Sequence, residues 1–539
     1  MAPFVTTFLD FGQHGRHVGI GFVAFAVLLI CRFLLARRDP NDIPYVGQAP
    51  GKAGFSLRTY LTYYTDCSSL MREAYDKYLS KGKAVWIPGL GARKELILPN
   101  TSMKWALAQP SRVLNHRAGI LEVDFPKYLL GNEFFLNDPW HGHLVRTELQ
   151  PMLDGVCEKM NEEINLAFND YFGDDTENWK EIDVLTTARK IIGRAASRFT
   201  VGEPLCQDEE YIMHNYNMVD KTHTSTGALL LTPSFLHPII GRFIRWRASL
   251  RFEKLSRMIE AEYYKRLEIL QHDRDDPNHE EPNDFFQVMM RYAQRERPNE
   301  LNLHDMTVRL FLANLGSMHR TAFLVTNVLL NIVDSKTEFN TVNLLRDEIS
   351  RVLKEDGLSI NETSAWNRAR SLKLFRTESV GRETMRLQSF DNRSTVCKVM
   401  TDGVTTPEGI PLPRGVRLSF LAHPAQIDEG VYEDANKFDP FRFSRPHEAA
   451  AESEKAAGLG AQSFVSTGPY HLPFGHGRAA CPGRWLVDFE SKMIAAYAVS
   501  RYELEFPSEY QGKRPSITWM VEAMLPPKAA KIRVKRRKE

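Results

Sequence analysis

A ten-residue segment near the C-terminal end, residues 474–483, constrains the fold of this chain more than any other feature. It reads Phe-Gly-His-Gly-Arg-Ala-Ala-Cys-Pro-Gly and contains Cys481. Its glycines permit backbone conformations and close approaches that a side chain would block. Residues 485–499, which follow, are amphipathic and predict a helix, whose N-terminus favours a nearby negative charge. The segment therefore predicts a tight turn that holds Cys481 as a thiolate, with Arg478 able to bind a carboxylate.

This segment resembles the haem-binding loop Phe-x-x-Gly-x-Arg-x-Cys-x-Gly of the cytochrome P-450 family. The resemblance implies that Cys481 is the axial thiolate ligand of the iron of haem b. It also places Phe474 and Gly483 in the cofactor-binding loop and makes Arg478 a ligand of a haem propionate. A buried structural cysteine in a loop that enters a helix is the alternative, but a lone cysteine would not explain the spacing.

Two further motifs stand in the order that the family has them. Glu383 and Arg386 are at positions i and i+3 of a predicted helix over residues 375–387. Arg442 lies in the segment Phe-Asp-Pro-Phe-Arg-Phe, residues 438–443. These residues resemble the family's Glu-x-x-Arg pair and its Pro-x-Arg-Phe motif. The resemblance implies a buried structural triad that fixes the loop carrying Cys481.

The carboxylates of a haem need cations at the rim of the site. Besides Arg478, Arg393 lies where the family often places a propionate-binding arginine. The family's Trp-x-x-x-Arg motif is matched only loosely, because Trp140 and Arg146 are six residues apart. His141 is a further candidate for the same role. Ordinary ion pairing or packing is the alternative for each of these residues.

A long helix is predicted over residues 305–334, and the family places such a helix across the distal face of the haem. The family's pattern there is Ala/Gly-Gly-x-Asp/Glu-Thr, in which a small residue leaves room for dioxygen and an acid–alcohol pair relays protons. Gly316 is the small residue here, and His319 takes the acid position. Arg320 takes the threonine position, and Thr321 follows it, rotated by about 100° around the helix axis.

Three interpretations of this departure are open. A helix bulge could bring Thr321 into register, since such bulges occur at functional sites. Alternatively His319, Ser317, ordered water or a substrate hydroxyl could deliver the protons. In the third interpretation the enzyme does not need conventional dioxygen activation and rearranges or dehydrates its substrate. The candidate catalytic residues are therefore Gly316, His319 and Thr321.

The composition agrees with one large globular domain. Of the 539 residues 43% are hydrophobic, and the net charge of +2 gives no global argument for binding nucleic acid. The six cysteines are scattered, which is typical of mostly free thiols in a reducing compartment. Helical periodicity dominates, with a hairpin predicted over residues 83–98 and short strands over 396–416. We predict a mainly α fold with small β-sheets, a single cytochrome P-450 domain.

The N-terminus carries the only membrane signal in the sequence. Residues 18–36 are apolar apart from Arg32, and the run is long enough to span a bilayer. Arg37 and Arg38 follow it, which predicts that the rest of the chain is cytosolic. A cleaved signal peptide is the alternative. We predict a short lumenal N-terminus over 1–17, a transmembrane anchor over 18–36, a Pro-containing hinge over 37–50 and a haem-thiolate catalytic domain over 51–539. By resemblance, the membrane is that of the endoplasmic reticulum.

Several segments resemble the filamentous-fungal, secondary-metabolism branch of the family, among them residues 284–290 and 423–426. The resemblance implies a membrane-anchored monooxygenase that oxidises a lipophilic metabolite, such as a terpenoid or polyketide. It further implies electrons from NADPH through a separate cytochrome P-450 reductase, since the chain has no convincing dinucleotide-binding motif. Membrane lipid is an expected partner and nucleic acid is not. A non-oxygenating isomerase or dehydratase is the alternative, because Arg320 replaces the usual threonine, and a haem or sterol carrier is a rival from another class.

Overall fold

The computed structural model describes residues 43–49, 52, 54–91, 93–272, 281–452 and 462–538. Its helices are, in chain order, α1 (Leu57–Thr65), α2 (Cys67–Lys77), α3 (Met103–Ala108), α4 (His116–Asp124), α5 (Pro126–Leu129), α6 (Phe134–Asn137), α7 (Trp140–Phe172), α8 (Val184–Thr200), α9 (Glu209–Leu231), α10 (His237–Ile269), α11 (Phe285–Glu296), α12 (Leu303–Ser317), α13 (His319–Asp334), α14 (Thr341–Glu355), α15 (Arg368–Ser371), α16 (Phe375–Leu387), α17 (His423–Gln426), α18 (Arg445–Glu452) and α19 (Arg484–Arg501). Its strands are β1 (Val85–Gly89), β2 (Arg93–Ile97), β3 (Leu114–Asn115), β4 (Lys180–Asp183), β5 (Arg393–Val399), β6 (Val404–Thr405), β7 (Pro411–Leu412), β8 (Arg417–Leu421), β9 (Tyr502–Glu505), β10 (Thr518–Met520), β11 (Ala523–Leu525) and β12 (Lys531–Arg536). The predicted mainly α class with small sheets is confirmed.

Helix α13 lies at the centre of the largest apolar core. Every residue from 321 to 333 is buried, as is typical of a helix that is enclosed on all sides. It packs against α8, α16 and α19. Helix α19 begins at Arg484, directly after the loop that contains Cys481. The core therefore brings the predicted distal helix and the cysteine loop against the same set of helices.

The largest sheet has five strands in the order β1-β2-β8-β5-β3. Strands β1 and β2 form the predicted hairpin, with Val85 opposite Ile97. Strand β2 then pairs in parallel with β8, and β5 pairs antiparallel with β8. Helices α1 and α2 share a second apolar core with this sheet. The remaining sheets are the three-stranded β4-β12-β9 and the two-stranded β10-β11 and β6-β7.

Helical spacing in the sequence also predicts helices over 55–78 and 179–200, and the second of these segments begins instead with strand β4 (Lys180–Asp183), ahead of α8. Two of the predicted helices are divided in the structure. Helix α16 has the predicted bounds, residues 375–387. The helical segment predicted over 55–78 is divided at Asp66, whose side chain accepts the backbone N–H of Ser69 and so caps α2. The long helix predicted over 305–334 is interrupted at Met318, between α12 and α13. This interruption lies in the segment that departs from the family's pattern.

No helix among the described residues is long and apolar enough to cross a membrane. The transmembrane anchor predicted over 18–36 lies outside those residues, as do the predicted lumenal segment and half of the predicted hinge.

The structure brings the three residues of the predicted triad together. Glu383 and Arg386 are fully buried, and Arg386 donates from Nε to Glu383 Oε2 at 2.7 Å and from Nη2 to Oε1 at 2.8 Å. Arg442 donates from Nε to Glu383 Oε1 at 3.2 Å. Both arginines also bind backbone carbonyls, Arg386 those of Gln426 and Ala435 and Arg442 that of Glu433. The triad therefore holds the irregular segment 426–442 against α16.

Gln426 extends this network to the cysteine loop. Its buried side chain donates from Nε2 to the carbonyl of Arg386 at 2.8 Å. Its Oε1 accepts the backbone N–H of Leu472, two residues before Phe474, also at 2.8 Å. The triad and the loop that carries Cys481 are thus connected through one amide side chain.

We expect Arg386→Ala to destabilise the fold strongly. The substitution leaves the buried carboxylate of Glu383 with one cation instead of two, and removing one partner of a buried ion pair typically costs about 3–5 kcal/mol. The apparent midpoint of thermal unfolding should fall by several degrees, and segment 426–442 should become more sensitive to protease. The matched control is Arg351→Ala, which removes an exposed ion pair with Glu355 and should change the midpoint little. Equal midpoints for the two variants would contradict the structural role of the triad.

Candidate functional site

Cys481 lies at the end of a turn that backbone hydrogen bonds hold closed. The N–H of Cys481 donates to the carbonyl of Phe474 at 2.8 Å, and the N–H of Gly475 donates to that of Leu472 at 2.9 Å. The ring of Phe474 packs on Phe464 with 5.7 Å between centroids, at the edge of the main core. The turn and the helix that the sequence predicts are both present.

Two glycines of this loop have backbone conformations that other residues rarely adopt. Gly475 and Gly477 have φ angles of +70° and +57°. A Cβ on Gly475 would also lie 3.0 Å from the carbonyl oxygen of Ala479. Because both constraints act at once, position 475 requires glycine for the turn to close around Cys481.

The electrostatics of Cys481 suit a metal-bound sulfur. Burial raises the pKa of its thiol, and the backbone N–H of Gly483 opposes this rise together with the charges of Arg320, Arg484 and Arg146. A buried thiol of this kind becomes a thiolate when a metal cation is its partner. Cys481 is partly exposed, whereas the other described cysteines are buried: Cys67, Cys157, Cys206 and Cys397. The part of the chain that the structure describes has no group of three or more His, Cys, Asp or Glu residues that could hold a metal ion. A haem iron fits this site, since its macrocycle supplies the remaining ligands.

Two of the predicted propionate ligands lie next to each other beside the loop. Arg146 donates from Nη1 to the backbone carbonyl of Arg478 at 3.1 Å. Burial is the main cause that lowers the pKa of His116, and the charges of Arg146 and Arg478 add to this effect. The Nδ1–H of His116 donates to the carbonyl of Val396 at 2.6 Å. Arg146 and Arg478 therefore form a basic rim, and the neutral ring of His116 lies beside it. No motif in the sequence signalled His116.

The arginine of the loop departs from the family's pattern by one position. The pattern places its arginine two residues before the cysteine, where this chain has Ala479, and Arg478 is three residues before it. The Arg478 guanidinium donates from Nη2 to the carbonyl of Gln109.

The other predicted propionate ligands have their polar groups engaged elsewhere. Arg393 pairs with Glu522, with Nε donating to Oε2 at 2.6 Å, and with Glu95. Trp140 donates from Nε1 to Glu300 Oε2 at 2.8 Å. His141 Nδ1 lies 3.2 Å from Arg309 Nη1. Burial and the charge of Arg309 lower the pKa of His141 to about 3.

One face of α12 and the start of α13 is not covered by the rest of the protein. Between residues 312 and 320 the exposed and half-exposed residues are Leu312, Ala313, Leu315, Gly316, Ser317 and Arg320. All of them except Leu315 recur at spacings of three or four positions and so share one side of the helix: Leu312, Ala313, Gly316, Ser317 and Arg320. We call these residues the open face. A Cβ on Gly316 would have no atom within 4 Å. The charge of Arg320 acts on Cys481, so this end of the open face lies near the cysteine loop.

Thr321 does not lie on the open face. The interruption between α12 and α13 is a turn at Met318 and not a π-helical turn. Thr321 is buried, and its hydroxyl donates to the carbonyl of Ser317 at 2.7 Å. The hydroxyl-bearing residue of the open face is Ser317.

His319 points toward α9 and not toward the open face. Its buried ring lies 5.5 Å from that of His223, and Nε2 is 3.5 Å from Asp220 Oδ1. Burial lowers the pKa of His319 to about 3, and the charge of Arg189 adds to this effect. The imidazole is therefore neutral near pH 7.

Comparison with known proteins agrees with this geometry. The model of the cytochrome P-450 family matches residues 127–534. Cytochrome P-450 monooxygenase pbrC of Penicillium brasilianum is 45% identical over 518 residues, which are 96% of this chain and 95% of pbrC. Cytochrome P-450 monooxygenase astC of Aspergillus terreus is 44% identical over 95% of both chains. Cytochrome P-450 monooxygenase tenB of Beauveria bassiana is 39% identical over 98% of this chain and 97% of tenB.

These matches cover the whole region between the triad, the open face and the cysteine loop, and the predicted resemblance is confirmed. The chain therefore belongs to the cytochrome P-450 family: it is an oxidoreductase of the monooxygenase type, and its cofactor is haem b.

Proposed function

We propose that this protein is a membrane-bound monooxygenase that hydroxylates, desaturates or oxidatively cyclises a lipophilic secondary metabolite, such as a terpenoid or polyketide. Electrons come from NADPH through a separate cytochrome P-450 reductase. The observation that carries the proposal is the closed turn around Cys481, which lies within reach of the charge of Arg320 on the open face. The fungal relatives, each named as a monooxygenase, support the oxygenating reaction.

In this proposal Cys481 ligates the haem iron, with Phe474 and Gly483 in the same loop. Arg478 and Arg146 hold the propionates at the basic rim. Bound haem supplies the chemistry of dioxygen activation. The N–H of Gly483 and the N-terminus of α19 favour negative charge on the sulfur.

The residues of the open face have separate roles. Gly316 leaves room beside the helix for a small molecule such as dioxygen. Ser317 Oγ carries the proton that the reaction consumes, in exchange with water. Thr321 keeps the carbonyl of Ser317 engaged and thereby holds the interruption at Met318 in shape. His319 is a positioning residue that packs α13 against α9.

The lining of the open face supports a lipophilic substrate. Leu312 and Ala313 lie on it, and Phe390 and Phe323 pack together beside Arg320 with 5.6 Å between ring centroids. Pockets for small molecules are mostly apolar with a few polar groups that fix orientation.

An exposed apolar stripe supports contact with a membrane. Large apolar side chains recur every three or four residues at the start of α10 and just before it: Phe235, Ile239, Phe243, Trp246 and Leu250. Arg242, Arg245 and Arg247 are exposed between them. A helix with exposed apolar residues and flanking arginines is typical of one that lies in the membrane interface. With the predicted anchor over 18–36, this favours a single-pass protein of the endoplasmic reticulum whose catalytic domain is cytosolic.

A non-oxygenating isomerase or dehydratase is the second candidate. It is favoured by Arg320, which stands on the open face where the family's pattern has threonine. Such an enzyme converts its substrate without NADPH. This requirement distinguishes the two functions.

We expect isotopically heavy dioxygen to label a product. The holoprotein, with reductase and NADPH, is incubated with a lipophilic extract of the producing organism, and products are analysed by mass spectrometry. Cys481→Ala should abolish both the labelled product and the absorbance of the reduced, carbon monoxide-bound haem-thiolate. Cys157→Ala removes a buried cysteine outside the loop and should retain both. An isomerised product that forms without NADPH would support the second candidate instead.

We expect Ser317→Ala to uncouple the reaction. Without its hydroxyl the proton supply at the open face fails, so product per NADPH should fall by about tenfold or more while hydrogen peroxide rises. Thr321→Val keeps a similar shape, removes a hydrogen bond away from the open face and should have a smaller effect. Stronger uncoupling by Thr321→Val than by Ser317→Ala would assign the proton to Thr321 instead.

We expect the apolar stripe to bind lipid without the predicted anchor. A chain that begins at residue 43 should sediment with vesicles containing anionic phospholipid, and Phe243→Ser with Trp246→Ser should reduce this binding severalfold. Leu166→Ser with Leu372→Ser, which alters exposed leucines elsewhere, serves as the control. Equal sedimentation of both double variants would exclude the stripe as the contact.

A further inference from the structure

We propose that Arg320 selects the substrate by binding an anionic oxygen group, a carboxylate or an enolate, and that Asp391 pairs with Arg320 until the substrate displaces it. The inference rests on the proposed function and adds to it the chemical class of the substrate.

Arg320 is the last residue of the open face, and 59% of its side chain is not covered by protein. Its ion pair with Asp391 and its position over the ring of Phe390 hold the side chain against the protein surface. Its charge opposes the rise in the pKa of Cys481, so the guanidinium lies near enough to the cysteine loop to act on it.

The guanidinium of Arg320 has N–H donors besides those that face Asp391. Nη1 lies 2.7 Å from Asp391 Oδ2, and the guanidinium stacks over the ring of Phe390 at 5.0 Å. Among the described residues Asp391 is the one carboxylate within ion-pair distance of Arg320. An arginine carries five N–H donors in a planar fork that suits two oxygens of one anionic group. The stacking on Phe390 fixes the plane of this fork.

The ion pair between Asp391 and Arg320 can be broken at little cost in stability. The side chain of Asp391 is 42% exposed, and ion pairs with this exposure contribute little to stability. Its backbone is held in place, because Asp391 pairs with Ala523 and the carbonyl of Phe390 accepts the N–H of Met524 at 2.9 Å. Arg393, two residues further along, forms an ion pair with Glu522 in the turn between β10 and β11. Arg320 can therefore move to a ligand while Asp391 stays where it is.

Besides Cys481 and Asp391, three titratable groups lie in the field of Arg320. Burial raises the pKa of Asp124 to about 6, and the charges of Arg417 and Arg320 oppose this rise. Burial lowers the pKa values of His223 and His319, and the charge of Arg320 adds to this effect, so that both imidazoles are neutral near pH 7. None of the three groups forms an ion pair with Arg320. An incoming anion thus competes with Asp391 for it.

The test uses ligands that report their own binding. An imidazole that carries an alkanoate chain ligates haem iron through its free nitrogen and shifts the haem absorbance without turnover. A series of ω-(imidazol-1-yl)alkanoates of increasing chain length is titrated into the oxidised holoprotein, and each member is compared with its methyl ester. At the best chain length the carboxylate should bind about tenfold tighter than the ester, or more.

Two variants should act in opposite directions. Arg320→Gln should reduce the preference for carboxylate over ester to about one, whereas Asp391→Asn should increase it, because it removes the competing carboxylate. Arg351→Gln, which alters an exposed arginine elsewhere, should leave it unchanged. Equal affinity for 1-methylimidazole in all variants establishes that the haem site is intact.

The proposal is overturned if Arg320→Gln keeps the preference, if Asp391→Asn loses it, or if the wild-type protein has none. Each result is independent of the proposed monooxygenase function, since these titrations need neither NADPH nor dioxygen. Labelled product from heavy dioxygen without any carboxylate preference would leave the monooxygenase function in place and remove Arg320 from substrate selection.

Discussion

The proposed chemistry depends on keeping a negative charge on one sulfur, that of Cys481. Burial alone raises the pKa of Cys481, so the surroundings must favour the thiolate. The turn closed by Gly475, the N–H of Gly483 and the start of α19 place dipoles at the sulfur. The charges of Arg146, Arg320 and Arg484 act in the same direction. Most of the features that identify the family serve this one requirement.

A network of buried polar side chains connects the cysteine loop to residues far from the sulfur. Glu383 is buried with Arg386 and Arg442, and these arginines hold a segment with little regular structure against α16. Gln426 then joins α16 to the backbone that leads into the cysteine loop. A buried ion pair is rarely the best source of stability, but it specifies one geometry. Here that geometry sets where the loop begins.

The open face departs from the family's pattern at one position, where Arg320 replaces threonine, and this changes which side chains are available to the proposed reaction. Ser317 and Arg320 lie on the open face, while Thr321 and His319 point into the protein. The side that holds the sulfur follows the family closely, apart from the one-position shift of Arg478. The open face has its own arrangement, and the opposite charges of Arg320 and Asp391 are its most distinctive feature.

The sequence by itself determined the cysteine loop, the triad, the predicted hairpin and the helical class, because each depends on residues close together or in a fixed order along the chain. It could not assign partners across long separations. Arg393 matched a family position, yet the fold pairs it with Glu95 and Glu522. His116 lies beside the basic rim, although no motif in the sequence signalled this position. Helical periodicity gave the spacing of Gly316, His319 and Arg320 but not which of them faces the open space. That orientation was decided by the tertiary structure, since it depends on the turn at Met318 and on contacts of the helix with α9, Phe390 and Asp391.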